Sequence, residues 1–179
     1  MARYVAFLRA INVGGHTVKM TDLRRAFEAL GFDSVQTHIA SGNVMFETAA
    51  TADSVLDRQI ETALEAHLGY RVDTFVRTAD ELAGIAAHRP FDGVDVEASD
   101  WRLFIVFVGT SPAPGLVDQL LASSGGIDAF ELRHREIYWL VRGRYSDSKF
   151  SGALLEKVLG MPATVRGAPT VRQIAAKLT

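Results

Sequence analysis

The sequence predicts an α+β protein built from two tandem ferredoxin-like βαββαβ units, packed together and related by internal duplication. Three observations predict it. Strand-like apolar runs and amphipathic stretches first alternate in the order β-α-β-β-α-β, the split-βαβ arrangement. The same order then recurs in the second half. Finally, Val76-Arg77-Thr78-Ala79 aligns on Val165-Arg166-Gly167-Ala168 at a spacing of 89, and this brings Ile85-Ala86-Ala87 onto Ile174-Ala175-Ala176, six identities without a gap.

In the first half, Arg3 to Ile11 is rich in apolar and aromatic residues and runs into Asn12-Val13-Gly14-Gly15, a strand followed by a glycine loop. Thr21 is the expected N-cap of a helix carrying Leu23, Ala26, Phe27 and Leu30, with Gly31 at its end. Val35–Ala40 and Val44–Phe46 flank Ser41-Gly42-Asn43 and form a hairpin. Leu56, Ile60, Leu64 and Leu68 mark a second helix closed by Gly69, and His67 falls on its apolar side as a partly buried core histidine. Tyr70 to Val76 alternates as a strand. Thr78-x-x-Glu81 is a capping box opening a helix that stops before Pro90.

Residues 89–100 hold Asp92, Asp95, Glu97 and Asp100, whose spacing is not that of a calcium loop. They form a solvated connection. In the second half, Trp101–Val108 is the most apolar strand. Helices follow over Leu116–Leu121, Leu154–Leu159 and Pro169–Leu178. A hairpin turns at His134-Arg135-Glu136, and Ala163–Arg166 is the last strand. The expected organisation is a first unit with a trailing helix (1–90), a connecting loop (91–100) and a second unit with a trailing helix (101–179). Phe7, Val106 and Leu155 belong in the core.

Composition narrows the function classes. The 179 residues carry 19 Lys+Arg against 21 Asp+Glu, a net charge of −2, which is not that of a polycationic nucleic-acid or membrane binder. No cysteine is present, so disulfides, thiolate metal sites and cysteine nucleophiles are excluded. Such a chain fits a reducing compartment, and a cytoplasmic location is expected. The N-terminal apolar run is broken by Arg3 and Arg9 and reads as a strand rather than a leader. No apolar stretch is long enough to span a bilayer. The five histidines form no H-E-x-x-H or H-x-H pair, so no metal and no cofactor is expected. No G-x-S-x-G elbow occurs either.

Three stretches together resemble one family, the domain-of-unknown-function family numbered 1697. They are Phe7-Leu8-Arg9-Ala10-Ile11-Asn12-Val13-Gly14-Gly15, Ser41-Gly42-Asn43-Val44-x-Phe46, and Ala163-Thr164-Val165-Arg166 with Thr170-Val171. The resemblance spans Arg3 to Lys177 and implies a duplicated ferredoxin-like fold; it brings no biochemical activity. Most relatives are expected to carry glycine at Ala10, tyrosine at His38 and an Arg-Asn-Trp run where this chain has Arg166-Gly167-Ala168. A family site using that asparagine and aromatic would be altered here, which puts a role for Arg166 in question.

Topology singles out one set of residues. In a βαββαβ sheet the third strand lies antiparallel beside the first, so the first strand's exit meets the third strand's entry. Arg9, Asn12, Gly14, Gly15 and Lys19 then gather with Ser41, Gly42 and Asn43. Glycine-freed N–H groups, a helix N-terminus and two cations suit a small anion or phosphate-bearing ligand. The plain reading is that the glycines only permit turns and that Ser41 and Asn43 only cap a hairpin. Neither Walker A nor G-x-G-x-x-G spacing is present. A nucleic-acid surface is a second, less favoured reading: Arg133, Arg135, Arg142, Arg144 and Lys149 interleave with Tyr138, Trp139 and Tyr145, although strand alternation would also turn those aromatics inward. An enzyme acting on phosphorylated or nucleotide-like substrates, with His16, Lys19 or Ser41 in the chemistry, is a third.

Overall fold

The computed structural model describes residues 1–12, 14–39, 42–49, 53–96 and 100–179, the side chains of Asp53 and Ser54 excepted. Val13, Ala40, Ser41 and Glu97 of the stretches discussed above lie outside them. The first half runs β1 (Ala2–Leu8), α1 (Met20–Glu28), β2 (Asp33–Thr37), β3 (Asn43–Thr48), α2 (Asp53–Leu68), β4 (Thr74–Thr78) and α3 (Ala79–Ala87). The second runs β5 (Trp101–Val108), α4 (Pro114–Ala122), β6 (Asp128–Arg133), β7 (Glu136–Arg142), a 3-10 turn (Tyr145–Asp147), α5 (Gly152–Leu159), β8 (Ala163–Gly167) and α6 (Ala168–Leu178).

The strands form two four-stranded sheets, ordered β2-β3-β1-β4 and β6-β7-β5-β8, with every neighbouring pair antiparallel. Their registers correspond. Leu8 faces Thr74 and Val5 faces Arg77, as Val108 faces Ala163 and Ile105 faces Arg166. Phe7 faces Asn43, as Phe107 faces Glu136. By contacts the chain divides into Met1–Gly84 with Ile174–Thr179, and Ile85–Gln173, so the division falls inside α3 and inside α6.

Each sheet carries its own helices. In the first unit Leu23, Ala26 and Phe27 of α1 and Leu56, Ile60 and Leu64 of α2 recur at helical spacing and cover Tyr4, Ala6, Leu8, Val44, Phe46 and Val76. The Phe32 ring stacks on Phe46 at 4.6 Å. In the second unit Leu120, Leu155 and Leu159 cover Val106, Val108, Phe130, Trp139 and Val141. Phe7, Val106 and Leu155, assigned to the core from sequence, are fully buried. The free edge of β4 is closed by α2, where Asp57 and Glu61 accept from Val76 N and Thr74 N at 2.8 and 2.9 Å. Those carboxylates blunt an otherwise unpaired strand edge.

The ends of the elements show where local signals held. Thr78 and Glu81 form a reciprocal capping box: Glu81 N donates to Thr78 Oγ1 at 3.1 Å and Thr78 N to Glu81 Oε2 at 2.8 Å. Thr21 is not an N-cap. Helix α1 starts earlier, with Lys19 at the cap position and its carbonyl accepting from Asp22 N and Leu23 N at 3.0 Å each. A hydroxyl preference marks where a cap side chain would help, whereas the backbone hydrogen bonds decide where the helix begins. His67 is exposed rather than partly buried, since Leu64 and Leu68 carry the apolar face on either side of it. The 89–100 connection is not wholly solvated. Pro90 and Val96 are buried, and Phe91 N donates to Glu131 Oε2 at 2.9 Å.

Candidate functional site

The end of the first sheet where β1 leaves and β3 and β4 enter is built by backbone pairing. Leu8 N donates to Gly42 O at 2.8 Å on one side, and Arg9 N donates to Asp73 O at 2.9 Å on the other. Gly42 has φ +78°, and a Cβ there would lie 2.9 Å from Ile11 Cγ2 and 3.0 Å from Leu8 Cβ. The position needs glycine for both conformation and room. Asn43 is fully buried, and its Nδ2 donates to His38 O at 2.9 Å while His38 N donates to Asn43 O at 3.0 Å. This amide therefore closes the β2–β3 turn. Asn12 Oδ1 accepts from Val18 N at 2.8 Å and folds the loop before α1 back on itself.

The remaining residues of the set face water. Gly14 and Gly15 have φ of +65° and +84°, and a Cβ on either would meet nothing within 4 Å. Lys19 is exposed, and α1 has no side-chain cap. Ser41 lies outside the described residues. Arg9 is partly exposed, with NH1 3.5 Å from Asp73 Oδ2. Asp73 takes a second guanidinium: Arg71 NH2 lies 3.0 Å from its Oδ1. The His16 ring stacks on Tyr70 with centroids 4.0 Å apart, and Tyr70 Oη donates to Ile11 O at 3.2 Å. Tyr70, Arg71 and Asp73 escaped the sequence reading because Tyr70–Val76 alternates like a strand. Here the strand starts at Thr74, and the three residues before it with side chains at this corner belong to a loop. The available signal was the cation–anion pair at Arg71-x-Asp73.

In the second unit, β7 is buried without interruption from Glu136 to Val141, so neither side of the strand offers an alternating basic and aromatic face. Tyr138 and Trp139 are inside, and Tyr145 alone of the three aromatics is exposed. Burial and the Glu136 charge push the Tyr138 hydroxyl far above the usual phenol range. Its Oη donates to Ile85 O at 3.2 Å. His88, at the end of α3, has its Nε2 2.6 Å from Glu131 Oε1, and its Nδ1 contacts the Arg133 guanidinium. Two arginines are buried at matching register positions. Arg77 NH1 donates to Val76 O at 2.8 Å, and Arg166 NH1 donates to Thr164 Oγ1 at 2.7 Å and Val165 O at 3.0 Å. Burial pulls the Arg166 guanidinium down to about 10. Among the described residues no group of three or more His, Asp or Glu is placed to hold a metal ion. No helix among them is long and apolar enough to cross a membrane.

The family model described as "Protein of unknown function (DUF1697)" matches residues 1–138. The chain belongs to this family. The opening motif that carried the resemblance therefore lies inside the matched region, and so do β1, α1, β3 and β4, which build the corner just described. No curated protein matches the chain. A conserved bacterial protein from Streptococcus pneumoniae has a similar structure, with a TM-score of 0.75 and 23% identity over 99% of this chain and 98% of that one. At that identity the likeness concerns the fold, and the family carries no stated activity.

Proposed function

We propose that the first unit binds a small anionic or phosphate-bearing ligand at the corner where β1 leaves its sheet. The carrying observations are electrostatic: Arg9 and Arg71 both approach the Asp73 carboxylate, and α1, which follows the glycine loop, begins at Lys19 with no side-chain cap. The largely exposed Arg71 guanidinium and the exposed Lys19 ammonium supply positive charge here. An uncapped N-terminus adds N–H groups and the positive end of a helix dipole. In this reading Arg9, Arg71, Lys19 and the Gly14–Gly15 backbone contact the ligand. Asn12, Gly42 and Asn43 hold the loops that present them, and Ser41 keeps its expected part in the site from sequence alone. The reading also rests on each unit being ferredoxin-like and on the two having arisen by duplication, which the matching strand orders and registers support.

The test is titration of the parent protein and of Lys19→Ala and Arg71→Ala with inorganic phosphate and nucleoside monophosphates, at constant ionic strength. Binding to the folded state alone raises the unfolding midpoint by mass action, by about 2.7 kcal/mol at a hundredfold excess over Kd. Both variants are expected to keep the parent's stability and lose the shift. Asn43→Ala is expected to lose stability instead, by about 1–3 kcal/mol, because it unmakes a buried hydrogen bond. No shift in the parent beyond that given by chloride would end the proposal. Turnover of a bound phosphate compound would move the reading to an enzyme. Salt-dependent binding of single strands without any small-anion shift would move it to nucleic acid.

A further inference from the structure

The second unit contains a cleft of about 490 Å³ lined by the α4–β6 connection and by the loop after β7, with Ser124, Gly125, Gly126, Asp128, Asp147 and Lys149 among its walls. One lining residue is unusual. Asp128 is 5% exposed, so its carboxylate sits almost wholly inside the protein. Both side-chain hydrogen bonds to it fall on one oxygen. Trp139 Nε1 donates to Oδ1 at 2.9 Å, and Ser148 Oγ donates to Oδ1 at 2.6 Å. Among the described residues no donor reaches Oδ2. No side-chain polar atom sealed from solvent lacks a partner among those residues, so Oδ2 must touch solvent, and the cleft is the space that Asp128 lines. Both donors on Oδ1 are neutral, so nothing in direct contact balances the charge. A buried charge without a partner is costly, and its retention points to something that answers it.

The other charges in the walls sort cleanly. Asp147 is already satisfied: Arg144 NH2 donates to its Oδ1 at 3.1 Å, and Arg144 N donates to its Oδ2 at 2.9 Å. That backbone N–H and the guanidinium hold the Asp147 carboxyl below its ordinary range. Lys149 has no carboxylate partner among the described residues; its ammonium lies 5.5 Å from the centre of the Phe150 ring. The cleft therefore offers one uncompensated acid and one uncompensated base. The turn that leads into Asp128 is open: Gly125 N donates to Asp128 O at 2.8 Å, Asp128 N donates to Gly125 O at 3.1 Å, and a Cβ on Gly125 or Gly126 would meet nothing within 4 Å. The volume is that of small-molecule sites generally.

We propose that this cleft binds a small zwitterion, with a primary ammonium on Asp128 Oδ2 and the anionic group on Lys149. A carboxylate oxygen can only accept, so it selects a donor, and a cationic donor is favoured most where water is scarce. The pairing with Lys149 sets the second charge. The site uses none of the residues proposed for the anion-binding corner of the first unit.

Trp139 supplies the readout, because its indole N–H is bonded to the carboxylate that the ammonium would neutralise. The chain has two tryptophans, and Trp101→Phe leaves Trp139 as the single emitter. In that background, 4-aminobutyrate is titrated to about 10 mM, well above a moderate small-molecule Kd, alongside butylammonium and butyrate, with 3-aminopropionate and 5-aminopentanoate varying the charge spacing. A saturable change in Trp139 emission is expected with one or more of the amino acids, and binding roughly tenfold or more weaker with the two singly charged compounds. Asp128→Asn keeps an oxygen for Trp139 and Ser148 but presents an N–H₂ to the cleft; it should abolish the change while unfolding near the parent's midpoint. Lys149→Ala, at an exposed position, should weaken binding about tenfold, and Lys19→Ala should leave it unchanged. The proposal is overturned if none of the amino acids gives a saturable change. It is overturned equally if Lys149→Ala and Asp128→Asn both bind as the parent does.

Discussion

Replacing Gly42 by alanine tests whether the corner of the first sheet is held as described. Two penalties coincide there. The residue sits at φ +78°, where an L side chain costs roughly 1–2 kcal/mol. The added Cβ would also lie 2.9 Å from Ile11 Cγ2, 3.0 Å from Leu8 Cβ and 3.3 Å from Leu8 O. The first neighbour is a side-chain end, but the others belong to or adjoin the backbone of β1, which is pinned on both sides by β3 and β4. Relief must therefore come from moving the Leu8 N to Gly42 O bond, and overpacking of this kind costs about 1–3 kcal/mol. The sum is about 2–5 kcal/mol. Gly14→Ala is the internal control, since φ is +65° there but a Cβ meets nothing within 4 Å, so only the conformational cost of about 1–2 kcal/mol applies. Urea unfolding of both variants, followed by far-UV circular dichroism, gives the difference. If Gly42→Ala falls within about 0.5 kcal/mol of Gly14→Ala, the steric reasoning is wrong, because surface-like effects are of that size.

Two further outcomes are expected. Ala10 holds φ +52° on an exposed residue, so Ala10→Gly should stabilise the protein by about 0.5–1 kcal/mol, the relief of left-handed strain less the entropy glycine adds to the unfolded chain; an unfolding midpoint that does not rise contradicts this. Arg166, held at about 10 by burial, carries its desolvation cost wherever it is charged in the folded state, and the unfolded chain keeps that proton longer. Stability should therefore shift in the parent's favour relative to Arg166→Met as the pH rises from about 9 to about 11, since the unfolded state then binds more protons. A stability difference that does not change with pH contradicts it.

Much of the architecture could be read from periodicity because the strands and helices bury large apolar faces. Trp101–Val108 is found at its expected bounds, and the Thr78–Glu81 capping box closes as its spacing implies. What sequence could not resolve lies where one residue has two uses. Alternation turned the aromatics of the second hairpin inward, which holds for Tyr138 and Trp139 and not for Tyr145; what it could not show is that β7 is buried on both faces, so that two neighbouring residues are inside together. At the corner of the first sheet, Asn12 and Asn43 looked like ligand groups because an amide side chain braces a loop with the same atoms it would offer a ligand. Asp128 gave no signal at all. Its partner Trp139 is eleven residues away, and only the strand register that sets Phe130 opposite Trp139 puts the carboxylate under the indole.

That last pairing differs between the two units. Register makes Asn43 of the first unit correspond to Glu136 of the second, so three residues on, Phe46 corresponds to Trp139. Both are buried aromatics at the centre of a helix-covered face. Phe46 has no polar atom, and Asp33, which faces Glu47 and so matches Ala129 rather than Asp128 in register, stays exposed. Trp139 brings a buried N–H that must be answered, and the aspartate that begins β6, Asp128, turns in to answer it. One oxygen meets that need. A carboxylate has two, and the second has no donor among the described residues. The same logic runs the other way at the opposite end of the sheets: the turn entering β3 uses Gly42 to clear Leu8 and Ile11, whereas the turn entering β7 passes Val108 with Arg135, whose N–H···O contact from Val108 is longer at 3.3 Å against 2.8 Å. The tighter approach in the first unit demands glycine, and Arg9 just beyond Leu8 lies 3.5 Å from Asp73. The looser one in the second unit does not, and no counterpart of Arg9 follows Val108, where the chain reads Gly109-Thr110-Ser111. Two sheets of the same strand order thus carry the proposed anion site in one unit and the proposed zwitterion site in the other through different residues.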